Sequence, residues 1–177
     1  MSVPADLLTQ AKSLATSDPN RPKQANLRRA VSSAYYALFH FLTEEAAKNF
    51  VGAGQQDRMR RDLARRAVAH AKLKNVCQEF LKQTPRDLLK PYWPAPGTHP
   101  GGSDMATVCQ NLIALQEFRH LADYDFSVSV SRTQALDSCD KAKEAMDAWN
   151  KVKANTPDAV TLFAMCVLLW PGLAGRE

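Results

Sequence analysis

The sequence predicts an all-α fold, an up-and-down bundle of five to six helices. Three observations predict it. Apolar residues recur at three- and four-residue steps along nearly the whole chain. Strand-like alternation is confined to Phe126–Val130, too short to build a sheet. The breaks between periodic segments carry residues that turn the chain and end helices. With 177 residues, 45% hydrophobic and 23% charged, the chain has the size and composition of one soluble globular domain over 1–177.

The first helix is expected over Ala5–Thr16, before the turn cluster Ser17-Asp18-Pro19-Asn20-Arg21-Pro22. The second runs over Lys23–Phe50, and Gly52 and Gly54 stop it. The third runs over Gln56–Gln83 and stops before Pro85. At ~1.5 Å per residue, these two would each be about 40 Å long and suit an antiparallel hairpin. Residues 84–103 hold five prolines and three glycines, which predicts a loop that no helix crosses. In that loop Tyr92 and Trp93 are better placed to pin the chain onto the bundle than to stack on a base. Ser103 or Asp104 N-caps the fourth helix, which reaches about Asp123. Ser131-x-x-Gln134 has the form of a capping box and opens the fifth, to about Ala154. Pro157 opens a closing apolar helix over 157–170, which Pro171-Gly172 ends. Its most apolar stretch, Ala159–Trp170, is shorter than the ~17–25 residues that span a bilayer, so no membrane association is expected.

The formal net charge is +5, compatible with a nucleic-acid partner without requiring one. From Arg58 to Lys74 there are seven Arg/Lys against the single acid Asp62. Such a run forms a solvated helix face or tracks a phosphate backbone. Cys77, Cys109, Cys139 and Cys166 are widely spaced and form no C-x-x-C pair, so they read as small core residues in a reducing cytosol. Met1 to Asp6 lacks a basic region followed by an apolar run, and the chain is expected to be cytoplasmic.

The helical faces select the candidate functional residues. On the second helix Leu27, Val31, Ala34, Leu38 and Leu42 make a core stripe. Beside it Arg29, Ser33, Tyr36 and His40 align so that one ligand could reach all four. On the third helix Met59, Leu63, Arg66, His70, Leu73 and Cys77 share a line, which makes Arg66 and His70 neighbours one turn apart. On the fourth, Arg119 continues the core line Val108, Leu112, Leu115, and a guanidinium there must be paired or face a cleft. Asp123 is its neighbour one turn on, and His120 and Tyr124 repeat that spacing on the adjacent face. Leu136, Cys139, Ala142, Met146, Trp149 and Val152 give the fifth helix a plain core stripe.

No carboxylate cluster suggests a metal, and the P-loop, GxGxxG and nucleophile-elbow motifs are absent, so no cofactor is expected. Arginine and histidine with tyrosine nearby suit metal-independent RNA cleavage, with histidine as acid or base and arginine on the phosphate. They equally suit passive binding of a phosphate-bearing ligand.

Leu27-Arg-Arg-Ala-Val-Ser-Ser-Ala-Tyr-Tyr-Ala-Leu-Phe-His40, followed by Leu115-Gln-Glu-Phe-Arg-His-Leu-Ala-Asp-Tyr-Asp125, resembles the HEPN (higher eukaryotes and prokaryotes nucleotide-binding) superfamily. The resemblance is to small bacterial members with an S-x-A-Y-Y-A-x-F-H helix and an L-x-x-x-R-x-x-A-D-Y helix, over roughly residues 5–155. It implies an up-and-down helical bundle, a homodimer, and one of two roles. One is an RNA-binding protein or metal-independent endoribonuclease of a toxin–antitoxin or defence system. The other is a non-catalytic module for a nucleotide or a protein partner, such as a nucleotidyltransferase or an antitoxin. Active members carry Arg-x4–6-His on a late helix. Here the corresponding positions after Arg119 are Tyr124, Asp125 and Phe126, His120 follows Arg119 directly, and Arg65-x4-His70 lies on the third helix instead. The resemblance implies Arg119 on phosphate with His120 or His70 as acid/base. Arg29, Tyr36, His40, Arg65, Arg66, Asp123 and Tyr124 would contact substrate. A third reading keeps Arg119–Asp123 and Arg66–His70 as structural pairs that fix helix register. Geometry separates these readings. Cleavage requires Arg119 and a histidine at one phosphate position, and the structural role requires the arginines paired within one chain.

Overall fold

A computed structural model describes residues 2–94 and 98–174, and residues 95–97 of the proline-rich segment lie outside the described residues. The described residues form an all-α bundle: α1 (Val3–Thr16), α2 (Gln24–Val51), α3 (Arg58–Arg66), α4 (His70–Phe80), α5 (Gly102–Tyr124), α6 (Arg132–Asn155) and α7 (Pro157–Ala174). Short 3-10 helices cover Gln55–Asp57 and Asp87–Tyr92. Among the described residues no single helix is long and apolar enough to cross a membrane. The chain divides into two compact units, residues 1–41 with 111–147 and residues 42–110 with 148–177.

The first unit takes α1, the first part of α2, the second part of α5 and the first part of α6. Its core contains Ala15, Leu27, Ala30, Val31, Ala122, Val130 and Ala135, with Leu14, Phe118 and Leu136 against it. Small side chains let these helices approach closely, and polar staples lock the connections. Gln24 Nε2 donates to the Val130 carbonyl (2.8 Å), and the Val130 N–H donates back to Gln24 Oε1 (2.9 Å). Arg132 donates to the carbonyls of Ala15 (3.2 Å), Pro19 (2.8 Å) and Asp18. The capping box forms as read: Ser131 N–H donates to Gln134 Oε1 (2.8 Å) and Gln134 N–H to Ser131 Oγ (3.2 Å).

The second unit is built around aromatic edges. Phe163 meets Phe80 (5.3 Å between ring centres) and Trp149 (5.2 Å), and Trp93 meets Phe80 at 5.4 Å. Trp93 therefore pins its segment, as its sequence position suggests, while Tyr92 stays exposed. Gly52 ends α2 at φ +115°, a conformation that residues with a side chain rarely adopt.

Four expectations about helices need correction. The long third helix is two, because residues 67–69 leave helical geometry between α3 and α4. There Val68 is buried at 7% exposure, and the Ala67 N–H closes the last turn onto Ala64 and Arg65 carbonyls. Nor does α3 bury the apolar line read from the sequence. Met59 and Leu63 are 84% and 73% exposed, and the inward residue is Arg61, which donates to the carbonyls of Gly52 (2.8 Å) and Gly54 (2.7 Å). These carbonyls follow the end of α2 and need a donor, which one guanidinium supplies twice. Residues 84–103 do contain a helix, Asp87–Tyr92, with Pro91 inside it. A short 3-10 turn demands few N–H donors, so proline is tolerated where an α-helix would break. Finally, α7 runs past Pro171-Gly172 to Ala174, since near a helix end proline leaves only one carbonyl without its donor.

Candidate functional site

Arg119 is the centre of the site, and the parts of α2 and α5 that shape it belong to the first unit. It sits where the buried line Val108, Leu112, Leu115 of α5 reaches the surface. Its Nη2 donates to Tyr36 Oη at 2.6 Å. Its Nε lies 2.6 Å from Asp123 Oδ2, an ion pair too far off the N–H axis to be a hydrogen bond. The other oxygen of Asp123, Oδ1, accepts from Ser32 Oγ in a short bond. Ser32 and Tyr36 are one turn apart on α2, as Arg119 and Asp123 are on α5, so two one-turn pairs cross-link the helices as a closed network. The side chains of Arg119 and Asp123 are 17% and 23% exposed. The pair is therefore partly shielded from water and screened less than a surface pair. Nη1 of Arg119 has no hydrogen-bonding partner among the described residues.

Aromatic rings extend this centre along the surface. The guanidinium carbon of Arg119 lies 5.2 Å from the centre of the Tyr36 ring and 5.7 Å from that of Tyr124, with the buried Tyr35 ring at 5.8 Å. His40 stacks on Tyr36 (6.1 Å, 23° between planes) and His120 packs on Tyr124 (5.0 Å). The result is a strip, His40–Tyr36–Arg119–Tyr124–His120, with an exposed imidazole at each end. Arg29 is exposed on α2, but Ser33 is not available to the ligand expected from its stripe. It is 4% exposed and its hydroxyl donates to Gln10 Oε1 (3.3 Å).

Arg65, Arg66 and His70 lie in the other unit. Arg65 is held by Glu44 (2.6 Å) and by Asp62. Arg66 is exposed at the last position of α3, and His70 is the first residue of α4. The expectation that Arg66 and His70 are neighbours one turn apart fails, because that spacing requires the unbroken helix that residues 67–69 interrupt.

Sequence reasoning gave no role to Arg28 and Ser32, although both stand in the stretch that carries the resemblance. Arg28 Nη1 donates to the carbonyls of Ala122 (2.8 Å) and Asp125 (3.0 Å), and Nη2 to that of Val128. It thereby closes the C-terminal end of α5. The register of Arg28, Ser32 and Tyr36, four residues apart each, was the available signal; their partners across the helix pair were not readable from spacing. In the turn that Arg28 holds, hydrogen bonds from the Ser127 hydroxyl and N–H pull the Asp125 carboxyl below its ordinary range.

Other chemistries find less support in the side chains. Burial pushes the Cys139 thiol up to about 11 and that of Cys166 to about 12, and it raises Cys77 too, so these thiols stay protonated and poorly nucleophilic. Among the described residues there is no group of three or more His, Cys, Asp or Glu side chains that could hold a metal ion. Comparison with protein-family models, curated proteins and solved structures finds no match to this chain.

Proposed function

We propose that the chain is a HEPN-like RNA-binding protein that grips RNA along the strip His40–Tyr36–Arg119–Tyr124–His120. One observation carries the reading: two exposed imidazoles each lie against a tyrosine, and both tyrosines lie against one guanidinium. Arginine is suited to a phosphate oxygen, and the flanking rings offer stacking faces and polar edges to sugars and bases. Nη1 is the donor left for the phosphate.

Metal-independent cleavage is the second reading. What favours it is the two imidazoles, each one ring removed from the guanidinium, since cleavage at a 2′-hydroxyl uses one base and one acid. The Arg119–Asp123 ion pair weighs toward binding, because a carboxylate at 2.6 Å cancels part of the charge that a transition-state phosphate would need.

The test is purified protein with bulk RNA in EDTA, scored for both binding and cleavage, beside Arg119→Ala, His40→Ala and His120→Ala. His70→Ala serves as a control outside the strip. Binding without cleavage, weakened by Arg119→Ala, supports the first reading. Cleavage in EDTA that either strip histidine variant abolishes selects the second. A folded wild type that neither binds nor cleaves RNA refutes both and leaves the role of a module for a protein partner.

A further inference from the structure

We propose that Phe126 is a stacking platform for one unpaired RNA base, which makes single-stranded RNA the ligand class. The proposal rests on the RNA-binding reading of the strip. Phe126 is 86% exposed on a well-fixed turn. The turn is held from several sides. Asp125 N–H donates to the Leu121 carbonyl (3.0 Å), and Asp125 Oδ1 accepts from the Ser127 N–H (2.9 Å) and hydroxyl (2.6 Å). Arg28 ties the carbonyls of Ala122, Asp125 and Val128 together. The same guanidinium stands 5.4 Å from the centre of the Phe126 ring. The ring is thus backed by a cation that other bonds keep in place, while most of its surface faces water.

A ring held this way loses little conformational entropy when a base stacks on it. Every base has a π face, so the contact is open to any unpaired nucleotide and strongest for purines, whereas a paired base inside a duplex cannot reach it. Tyr124, 64% exposed two residues earlier, belongs to the strip. The platform therefore lies close along the chain to the phosphate-binding arginine, as a ligand bound through backbone and base together requires.

The experiment compares binding of short polyadenylate, short polyuridylate and a blunt RNA duplex by wild type, Phe126→Ala, Phe126→Trp and Arg119→Ala. Phe126→Ala should weaken polyadenylate by roughly five- to a hundredfold, weaken polyuridylate less and leave the duplex unchanged. Phe126→Trp should restore polyadenylate binding. Arg119→Ala should weaken all three. If Phe126→Ala binds every RNA as wild type does, the platform is overturned while the RNA reading stands. Wild type that binds none of the three overturns the RNA reading and the platform with it. If Phe126→Ala instead converts an oligomer to monomer with RNA affinity unchanged, the ring is a contact between copies of the chain and the proposal fails. Because the ring is exposed, the melting temperature of Phe126→Ala should match wild type, so loss of fold does not confuse the outcome.

Discussion

Asp123→Asn separates an arginine kept for RNA from one kept for structure, because the two roles move two measurements in different directions. Asparagine has the same shape, and its amide oxygen can still accept from Ser32 Oγ; only the charge beside Arg119 is lost. Stability should fall by about 1–2 kcal/mol, the worth of one charge-assisted interaction, with the Nη2–Tyr36 bond left in place. RNA affinity should rise. A phosphate on Nη1 would stand about 5–7 Å from the Asp123 carboxylate, a repulsion of about 0.7–3 kcal/mol for an effective dielectric constant between about 80 and 20. Removing it tightens binding by about threefold to a hundredfold. Urea unfolding followed by circular dichroism reads the first quantity. Fluorescence anisotropy of a labelled single-stranded RNA at low and moderate salt reads the second, and the gain should shrink as salt screens the charge. A variant that is less stable yet binds RNA no more tightly would refute the reasoning and assign Arg119 to helix cross-linking alone.

Two further predictions concern the second unit. Arg61→Ala removes the donor shared by the carbonyls of Gly52 and Gly54 and should cost about 1–3 kcal/mol in urea unfolding, whereas the exposed Met59→Gln should change stability by less than about 0.5 kcal/mol; equal effects would contradict the inverted face of α3. Glu79 is 1% exposed; burial alone would raise its carboxyl, but Lys82 Nζ (2.7 Å) and the Arg86 N–H (2.7 Å) outweigh burial and hold it below its ordinary 4.5. Its stabilisation is therefore complete above the unfolded value and is lost as pH falls through the lower folded value. Glu79→Gln should be less stable than wild type by about 1–2 kcal/mol near pH 7, a gap that closes as acid protonates Glu79, and a gap independent of pH would refute the assignment.

What was legible in the sequence follows from the range over which each force acts. The stripe Leu27, Val31, Ala34, Leu38, Leu42 is set by one helix's own period, and all five residues are buried at 1% exposure or less. The Ser131–Gln134 box is a contact across three residues, so both of its bonds could be read from spacing. The break at 67–69 carries neither glycine nor proline, and no local signal marks it. Long-range demand is the better account. Arg61 is drawn inward by two carbonyls beyond the end of α2, and Val68, within the break itself, is drawn into the core. A periodicity count scores Met59 and Leu63 as core because it cannot know that an arginine has claimed the inner face. The site divides in the same way. Arg119 stood out because a guanidinium on a core line must find a partner, and Asp123 at one turn's distance was an evident candidate. That Ser32 completes the carboxylate's shell depends on pairing residues 91 positions apart. The one-turn register Arg28, Ser32, Tyr36 thus has a physical reason that spacing alone did not reveal: each residue meets α5 or the turn after it. The residues that carry the family resemblance are accordingly accounted for in large part by helix cross-linking. What cross-linking leaves unexplained is the exposed remainder, His120, Tyr124 and Phe126, and it is on these side chains, more than on the motif itself, that a functional claim has to rest.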